Sequence, residues 1–282
     1  MSHSLWSDAW HRLLKNKLAI FGAAFLIFEI AICILTPWIA PYGFETQNLE
    51  LTLAKPSLAH WFGTDNLGRD LFTRILYGGR ISMTVGILAS LVSVLVGVIY
   101  GAISGFIGGK TDTVLMRIVD ILYALPFIFL VIILMVYFGR NILLLFVALG
   151  LTQWLTMARI VRGQVISLKH KEFIEAAKAV GVKTRYIILK HLIPNTLGPV
   201  IVYLTLTIPS VILEEAFLSF LGLGVQAPMA SWGTLISSGV EVMEIAPWIL
   251  LFPATMLSLT LFSLNFLGDG LRDALDPKGA KD

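Results

Sequence analysis

Apolar runs long enough to cross a bilayer recur along most of this chain, with short polar segments between them. A hydrocarbon core of about 30 Å and a helical rise of about 1.5 Å per residue call for roughly 20 apolar residues per crossing. The pattern predicts six spanning helices, over residues 18–36, 83–106, 121–139, 141–158, 197–217 and 246–268. One further uncharged run, 216–240, contains Gly222, Gly224, Pro228, Gly233 and Gly239 with Ser and Gln interspersed. That is poor material for a lipid-facing helix, and we read it as a folded outer loop able to dip into the membrane. In the second span Gly97, Gly101, Gly105 and Gly109 recur every four residues, leaving bare backbone along one face for another helix to approach.

Composition turns this pattern into a class. The chain is 57% hydrophobic and 14% charged with a mean hydropathy of +0.83, too apolar for its polar side chains to cover as a soluble domain. It is expected to be one all-α, polytopic membrane unit. The single cysteine, Cys33, has no partner in the chain, so no intrachain disulfide framework exists. The basic stretch His11 to Lys17 precedes an apolar run reaching Pro37, which is too long for a cleaved signal and reads as an uncleaved first span.

The net charge of +3 matters less than where the charges fall, and it implies no nucleic-acid partner. With a cytoplasmic N-terminus, only Lys55, Arg69, Arg74, Arg80 and Arg140 of the 21 Lys and Arg lie on the outer side, and residues 218–245 carry none. The positive-inside rule then places both termini, and the charged segment KEFIEAAKAVGVKTRYIILKHLIPN at 171–195, in the cytoplasm.

Chemistry of bond-making is hard to find in these residues. SGFIGGKT at 104–111 is one glycine short of a phosphate-cradling loop, follows a membrane helix instead of a strand, and reads as a polar loop with Lys110 at the inner face. His3, His11, His60, His170 and His191 are scattered without ligand spacing, so no metal site is expected, and no serine sits in a nucleophile context. Glu29 lies mid-span, where a carboxylate is costly and is expected to be protonated, paired or turned toward another subunit; a lone acid is poor material for an ion relay. Glu214 and Glu215 fall near the outer end of the fifth span. They can reach water as a solvated helix end, or meet a cationic group of a substrate in an outer vestibule.

Within 171–195, Phe173, Ile174, Ala177 and Val180 follow helical spacing while Lys171, Glu172, Glu175 and Lys178 lie mostly elsewhere, the pattern of a short amphipathic helix. Gly181 is placed to end it, Thr184 to cap a second helix presenting Ile187, Ile188 and Leu189, and Pro194 to close the unit. The apolar face of this two-helix knob needs a partner, either this chain's own helices or another protein.

The string Glu175-Ala176-Ala177 with Gly181, and Pro194 thirteen residues further on, resembles the coupling loop of permease subunits in binding-protein-dependent ABC importers. FGTDNLGRDLFTRILYGGRIS at 62–82, MARIVRGQ at 157–164, SFLGLG at 219–224 and GDGLRDALDPK at 268–278 are similar to the second permease subunit of the dipeptide, oligopeptide and nickel branch. GRNILLLFVALGLTQWLTMARIVRGQ at 139–164 looks most like the oligopeptide importers, and His191, where the broad family commonly has Ile, matches the His-x-x-Pro of the peptide branch.

The resemblance covers nearly the whole chain and implies a type I ABC importer permease fold. It implies an N-terminal segment over 1–79 with the first span and an outer loop, then a five-helix core over 80–282 whose coupling loop occupies about 170–195. The first span would wrap a partner permease, giving Glu29 a neighbour there, and 216–240 would lie at the outer mouth. Implied partners are a homologous second permease, two ATP-binding subunits that hold ATP and Mg, a periplasmic or lipid-anchored peptide-binding protein, a peptide and the bilayer. The chain itself would bind no cofactor and catalyse nothing. Glu175, Ala176, Ala177, Gly181, His191 and Pro194 would meet the ATPase, and the location would be a bacterial inner membrane. Dipeptide or nickel import is the nearer alternative; a proton-coupled carrier or polytopic enzyme acting alone is the competing class.

Overall fold

A computed structural model describes residues 5–139 and 141–275. Arg140, one of the expected outer cations, both termini and the closing motif beyond Leu275 lie outside the described residues. A short helix, α1 (Leu5–Leu13), precedes the first long one, α2 (Lys17–Ile39). Between them Asn16 caps α2, its side-chain oxygen accepting from the N–H groups of Leu18 at 3.1 Å and Ala19 at 3.2 Å. The sequence pattern has no place for α1, because nine residues are too few for periodicity to stand out; it is held by packing on the last long helix.

Helix α3 (Leu71–Ile107) is 37 residues long and starts well before the expected boundary at Met83. Asp70 sets the start, accepting from Thr73 N–H at 2.8 Å, and the helix continues through the Gly78-Gly79 pair, whose bare backbone lets Trp232 pack closely. A Cβ on Gly79 would come within 2.8 Å of that ring. The helix runs unbroken through residues 79 and 80, the expected boundary between N-terminal segment and core.

The third expected span is not one helix. The chain forms α4 (Gly109–Ala124) and α5 (Phe127–Phe138), bent by 86°. Leu125 and Pro126 are both extended, with ψ of 127° and 122°, since the residue before a proline is pushed out of the helical region and proline has no N–H to continue the ladder. The predicted polar loop at 104–111 is likewise absent: α3 ends at Ile107, Gly108 turns the chain with φ of +71°, and Lys110 already lies in the first turn of α4.

Helix α6 (Ile142–Leu168) packs along α3 on the glycine face. A Cβ on Gly97 would meet Met157 Cβ at 2.6 Å, one on Gly105 would meet the Arg162 carbonyl at 2.8 Å, and one on Gly101 would overlap the Ala158 carbonyl. Gly109, expected to share that face, has no neighbour there because the helix has already ended.

The remaining elements are α7 (Glu172–Ala179), α8 (Thr184–Tyr186), a π-helical stretch Ile187–Leu192, and α9 (Ile193–Phe220). They are followed by α10 (Trp232–Glu241) and α11 (Trp248–Leu275). Residues 216–240 are therefore not one loop: they comprise the end of α9, a turn region and most of α10. Ser231 caps α10 in a reciprocal pair with Thr234, and α10 packs against α9 and α11.

The described residues contain five helices long and apolar enough to cross a membrane, or six if the bent pair counts as one. Their core divides along the bundle. Leu71, Ile75, Ile212, Trp232 and Ile249 fill the end near α10; Val85, Leu145, Leu149, Val211 and Leu218 form a second cluster; Ala102, Met157, Val165, Ile174, Ile187 and Leu192 fill the end near α7. Outward-facing Ile27, Phe28, Leu95, Leu143 and Phe262 leave an apolar surface, as a bilayer requires.

Candidate functional site

The segment at 171–195 forms a bend whose chemistry begins at Gly181. Gly181 donates to the Lys178 carbonyl at 3.0 Å and Val182 to the Ala177 carbonyl at 3.0 Å, so α7 ends in a Schellman motif with the glycine at φ of +77°. Thr184 does not cap the next helix. Lys183 occupies the cap position and makes no side-chain cap bond.

Pro194 does not close the unit either. It sits in the first turn of α9, and the helix from Thr184 runs on to Phe220. The π-helical stretch explains this: Ile193 N–H bonds the Ile188 carbonyl one residue further back than in an α-helix, giving the proline ring room in a continuing helix. His191 therefore caps nothing; its backbone carbonyl accepts from Asn195 Nδ2 at 2.6 Å and its side chain is half-buried.

The apolar face of this segment divides between two destinations. Ile174, Ala177, Ile187, Ile188 and Leu192 are buried against Val98 and Ala102 of α3 and Met157, Val161 and Val165 of α6. Lys178 Nζ lies 5.1 Å from the Phe106 ring at the end of α3. Phe173, Val180 and Leu189 stay exposed, Val180 by 78%, alongside exposed Glu175, Ala176, Gly181 and Pro194.

A polar clamp beside the segment was invisible in the sequence. Arg162 of α6 holds Asp112 of α4 in a two-pronged pair, Nε to Oδ1 at 2.6 Å and Nη2 to Oδ2 at 2.6 Å. Ser104 donates to the same carboxylate at 2.5 Å, and Lys169 Nζ donates to the Gly105 carbonyl at 3.0 Å. Further along the same two helices Arg159 pairs with Asp120 at 2.8 Å and covers the Tyr123 ring at 4.4 Å.

The two neighbouring acids of α9 part company. Glu215 is 0% exposed, so it is neither the solvated helix end nor the vestibule group that the sequence suggests. Its Oε1 accepts from Ser219 at 2.6 Å and its Oε2 from Ser82 at 3.1 Å, Ser231 donates to Ser219 at 3.1 Å, and Trp232 N–H donates to Ser82 at 3.2 Å. The carboxyl is the hub joining α3, α9 and the start of α10. Glu214, one residue away, points to a cavity of about 580 Å³ under the α4–α5 elbow, where Gln153 Nε2 donates to its Oε1 at 2.7 Å.

Glu29 finds a hydrogen-bond donor within the chain for one of its two carboxylate oxygens. It is 2% exposed, and Thr260 Oγ1 of α11 donates to its Oε1 at 2.6 Å. At the α10 end, the segment before α3 is organised by two acids. Asp65 accepts from Leu67 N–H, Arg69 N–H and Arg69 Nε and lies 3.4 Å from Arg74 Nε, while Asp70 pairs with His60 at 2.8 Å. Phe62 stacks on Phe252 of α11 at 4.0 Å.

Comparison with known proteins agrees with this architecture. Residues 97–281 match the family described as binding-protein-dependent transport system inner membrane component, and residues 4–56 match the N-terminal transmembrane domain of oligopeptide transport permease C. The chain is 54% identical over 277 residues to the oligopeptide transport system permease protein OppC of Escherichia coli K12, covering 98% of this chain and 92% of that protein. It is 50% identical to the dipeptide transport system permease protein DppC of Bacillus subtilis over 98% of this chain and 87% of that one. With the glutathione transport system permease protein GsiD of Shigella flexneri it shares 43%, over 97% and 90%. A solved structure of the methionine ABC transporter MetNI in inward-facing conformations shares the fold, with a TM-score of 0.58 at 19% identity over 73% of this chain and 96% of that one.

Proposed function

Because the chain belongs to the family of binding-protein-dependent transport system inner membrane components, we propose that it is the second permease subunit of a bacterial ATP-driven oligopeptide importer. The observation that carries this reading is the 54% identity to oligopeptide permeases across 98% of the chain. A dipeptide cargo is the second reading, favoured by the 50% identity to a dipeptide permease. In either case the chain forms half of a translocation path with a homologous second permease in the inner membrane. Both termini are cytoplasmic, a peptide-binding protein delivers cargo from outside, and two partner subunits bind and hydrolyse ATP with Mg.

The geometry suits a lever worked from the cytoplasmic side. Phe173, Ala176 and Val180 offer an exposed surface of small and apolar residues, with the Glu175 carboxylate beside them, to an ATPase groove. Ile174 and Ala177, on the opposite face of α7, are embedded in the α3–α6 core, so a push on the segment moves those helices and not a loose loop. Gly181 sets the angle between the two halves, and the π-helical stretch with His191 and Pro194 carries the motion straight into α9. The Arg162–Asp112 clamp passes it sideways to α4.

Reconstitution with the second permease, both ATPases and the binding protein in vesicles tests the reading. Peptide accumulation that depends on ATP and on every subunit is expected. Uptake by this chain alone, driven by a proton gradient, would overturn it.

A further inference from the structure

We propose that Glu214 and the cavity it faces form a binding site for the peptide in transit, with the Glu214 carboxylate holding a primary ammonium group of that peptide; this rests on the importer reading. Glu214 reaches the cavity from α9 and Gln153 from near the middle of α6. The walls are otherwise mostly apolar, with Leu122, Tyr123, Leu130 and Trp154 among them. At about 580 Å³ the hollow lies in the range of sites for small ligands and has room for the first residues of a peptide.

Three features single it out. The hollow exists because the α4–α5 unit bends by 86° at Leu125–Pro126; a straight span would pack against α6 there. Glu214 is held by one hydrogen bond only, from Gln153 to Oε1, while Oε2 is shielded by protein and accepts none among the described residues. A carboxylate oxygen left that way within a membrane bundle is costly unless a donor arrives. Glu215 next door supplies the contrast, since both of its oxygens are occupied by serines of its own chain. One acid is committed to structure and its neighbour lines a cavity with one oxygen unpartnered among the described residues.

A carboxylate beside an amide, ringed by apolar side chains, matches an ammonium attached to an apolar body. In a peptide that group is the α-amino terminus or a lysine side chain. The sequence-tolerant part of the recognition falls to the apolar walls, which suits a path that passes varied cargo.

The test uses the full importer in vesicles, with binding protein saturated by a lysine-free tripeptide in one arm and an N-acetylated, lysine-containing tripeptide in the other. Glu214→Gln, which keeps shape and removes charge, is expected to slow uptake about tenfold, and Glu214→Asp to recover a large part of it. Loss in the lysine-free arm identifies the α-amino group, and loss confined to the acetylated arm identifies the lysine ammonium. Wild-type uptake by Glu214→Gln in both arms overturns the proposal. So does failure of that variant to assemble with the second permease while it still inserts, because the carboxylate would then pair with the partner. A second measurement reads occupancy directly with Glu214 intact: in a Cys33→Ala background, the thiol introduced on the cavity wall by Leu130→Cys should react more slowly with a cationic thiosulfonate when peptide is supplied during turnover. Equal reaction with and without peptide also overturns it. If the wild-type complex itself imports no peptide, the importer reading fails and not this site.

Discussion

At the scale of single residues, position in the backbone decides what a side chain is for. Gly181 has open space where a Cβ would sit, yet its φ of +77° is costly for other residues, by roughly 1–2 kcal/mol, and most for β-branched ones. Gly181→Val should therefore uncouple ATP hydrolysis from uptake while insertion stays normal, and Gly181→Asn, which tolerates the left-handed region, should do far less damage; paired hydrolysis and uptake assays check this. Glu215 and Glu214 differ in the same way. Glu215→Ala strands the Ser82 and Ser219 hydroxyls in a fully buried network, and should lower the thermal unfolding midpoint in detergent by an amount equivalent to about 2 kcal/mol or more. Glu214→Ala removes a single hydrogen bond to Gln153 and should leave that midpoint nearly unchanged. In the sequence the two acids have identical prospects, because adjacent helical residues look alike until the packing around each is known.

At the scale of elements, two kinds of contact join the helices. Glycines let α3 and α6 touch backbone to backbone, so Gly101→Leu must push them apart and should cost about 1–3 kcal/mol, with loss of folded protein in the membrane fraction. The four-residue spacing predicts that face correctly for Gly97, Gly101 and Gly105, and overreaches at Gly109 only because a helix end intervenes. Charge pairs join α4 to α6. The Arg162–Asp112 pair is partly exposed, so its worth to stability is modest, about 1 kcal/mol or less. Its expected role is in transmission: Asp112→Arg should depress coupled uptake more than stability, and adding Arg162→Asp should restore part of it, as a double-mutant cycle on both quantities would reveal. Nothing local marks these partners, which lie 50 residues apart in sequence.

At the scale of the whole molecule, the distribution of Lys and Arg predicts that a reporter able to work only in the cytoplasm is active when fused at Asp282; activity of an outside-only reporter there would reverse the topology and remove the 171–195 segment from any ATPase. Much of what is governed by long runs and local rules was legible in the chain alone, though the break at Leu125–Pro126 was not read from it. Membrane class follows from apolar length, the short amphipathic helix at 171–195 and its glycine bend from residue spacing, and the tight α3–α6 contact from small residues at a fixed interval. Whatever depends on residues distant in the chain had to wait for the fold. Packing in three dimensions carried the second half of the knob into α9. It gave one oxygen of Glu29 a donor in Thr260 and both oxygens of Glu215 donors in Ser82 and Ser219, and left Glu214 facing a hollow. The physical reason is the range of the forces involved. Transfer of a helix into lipid sums over its own residues, whereas the cost of a buried carboxylate is set by whichever groups the fold brings beside it.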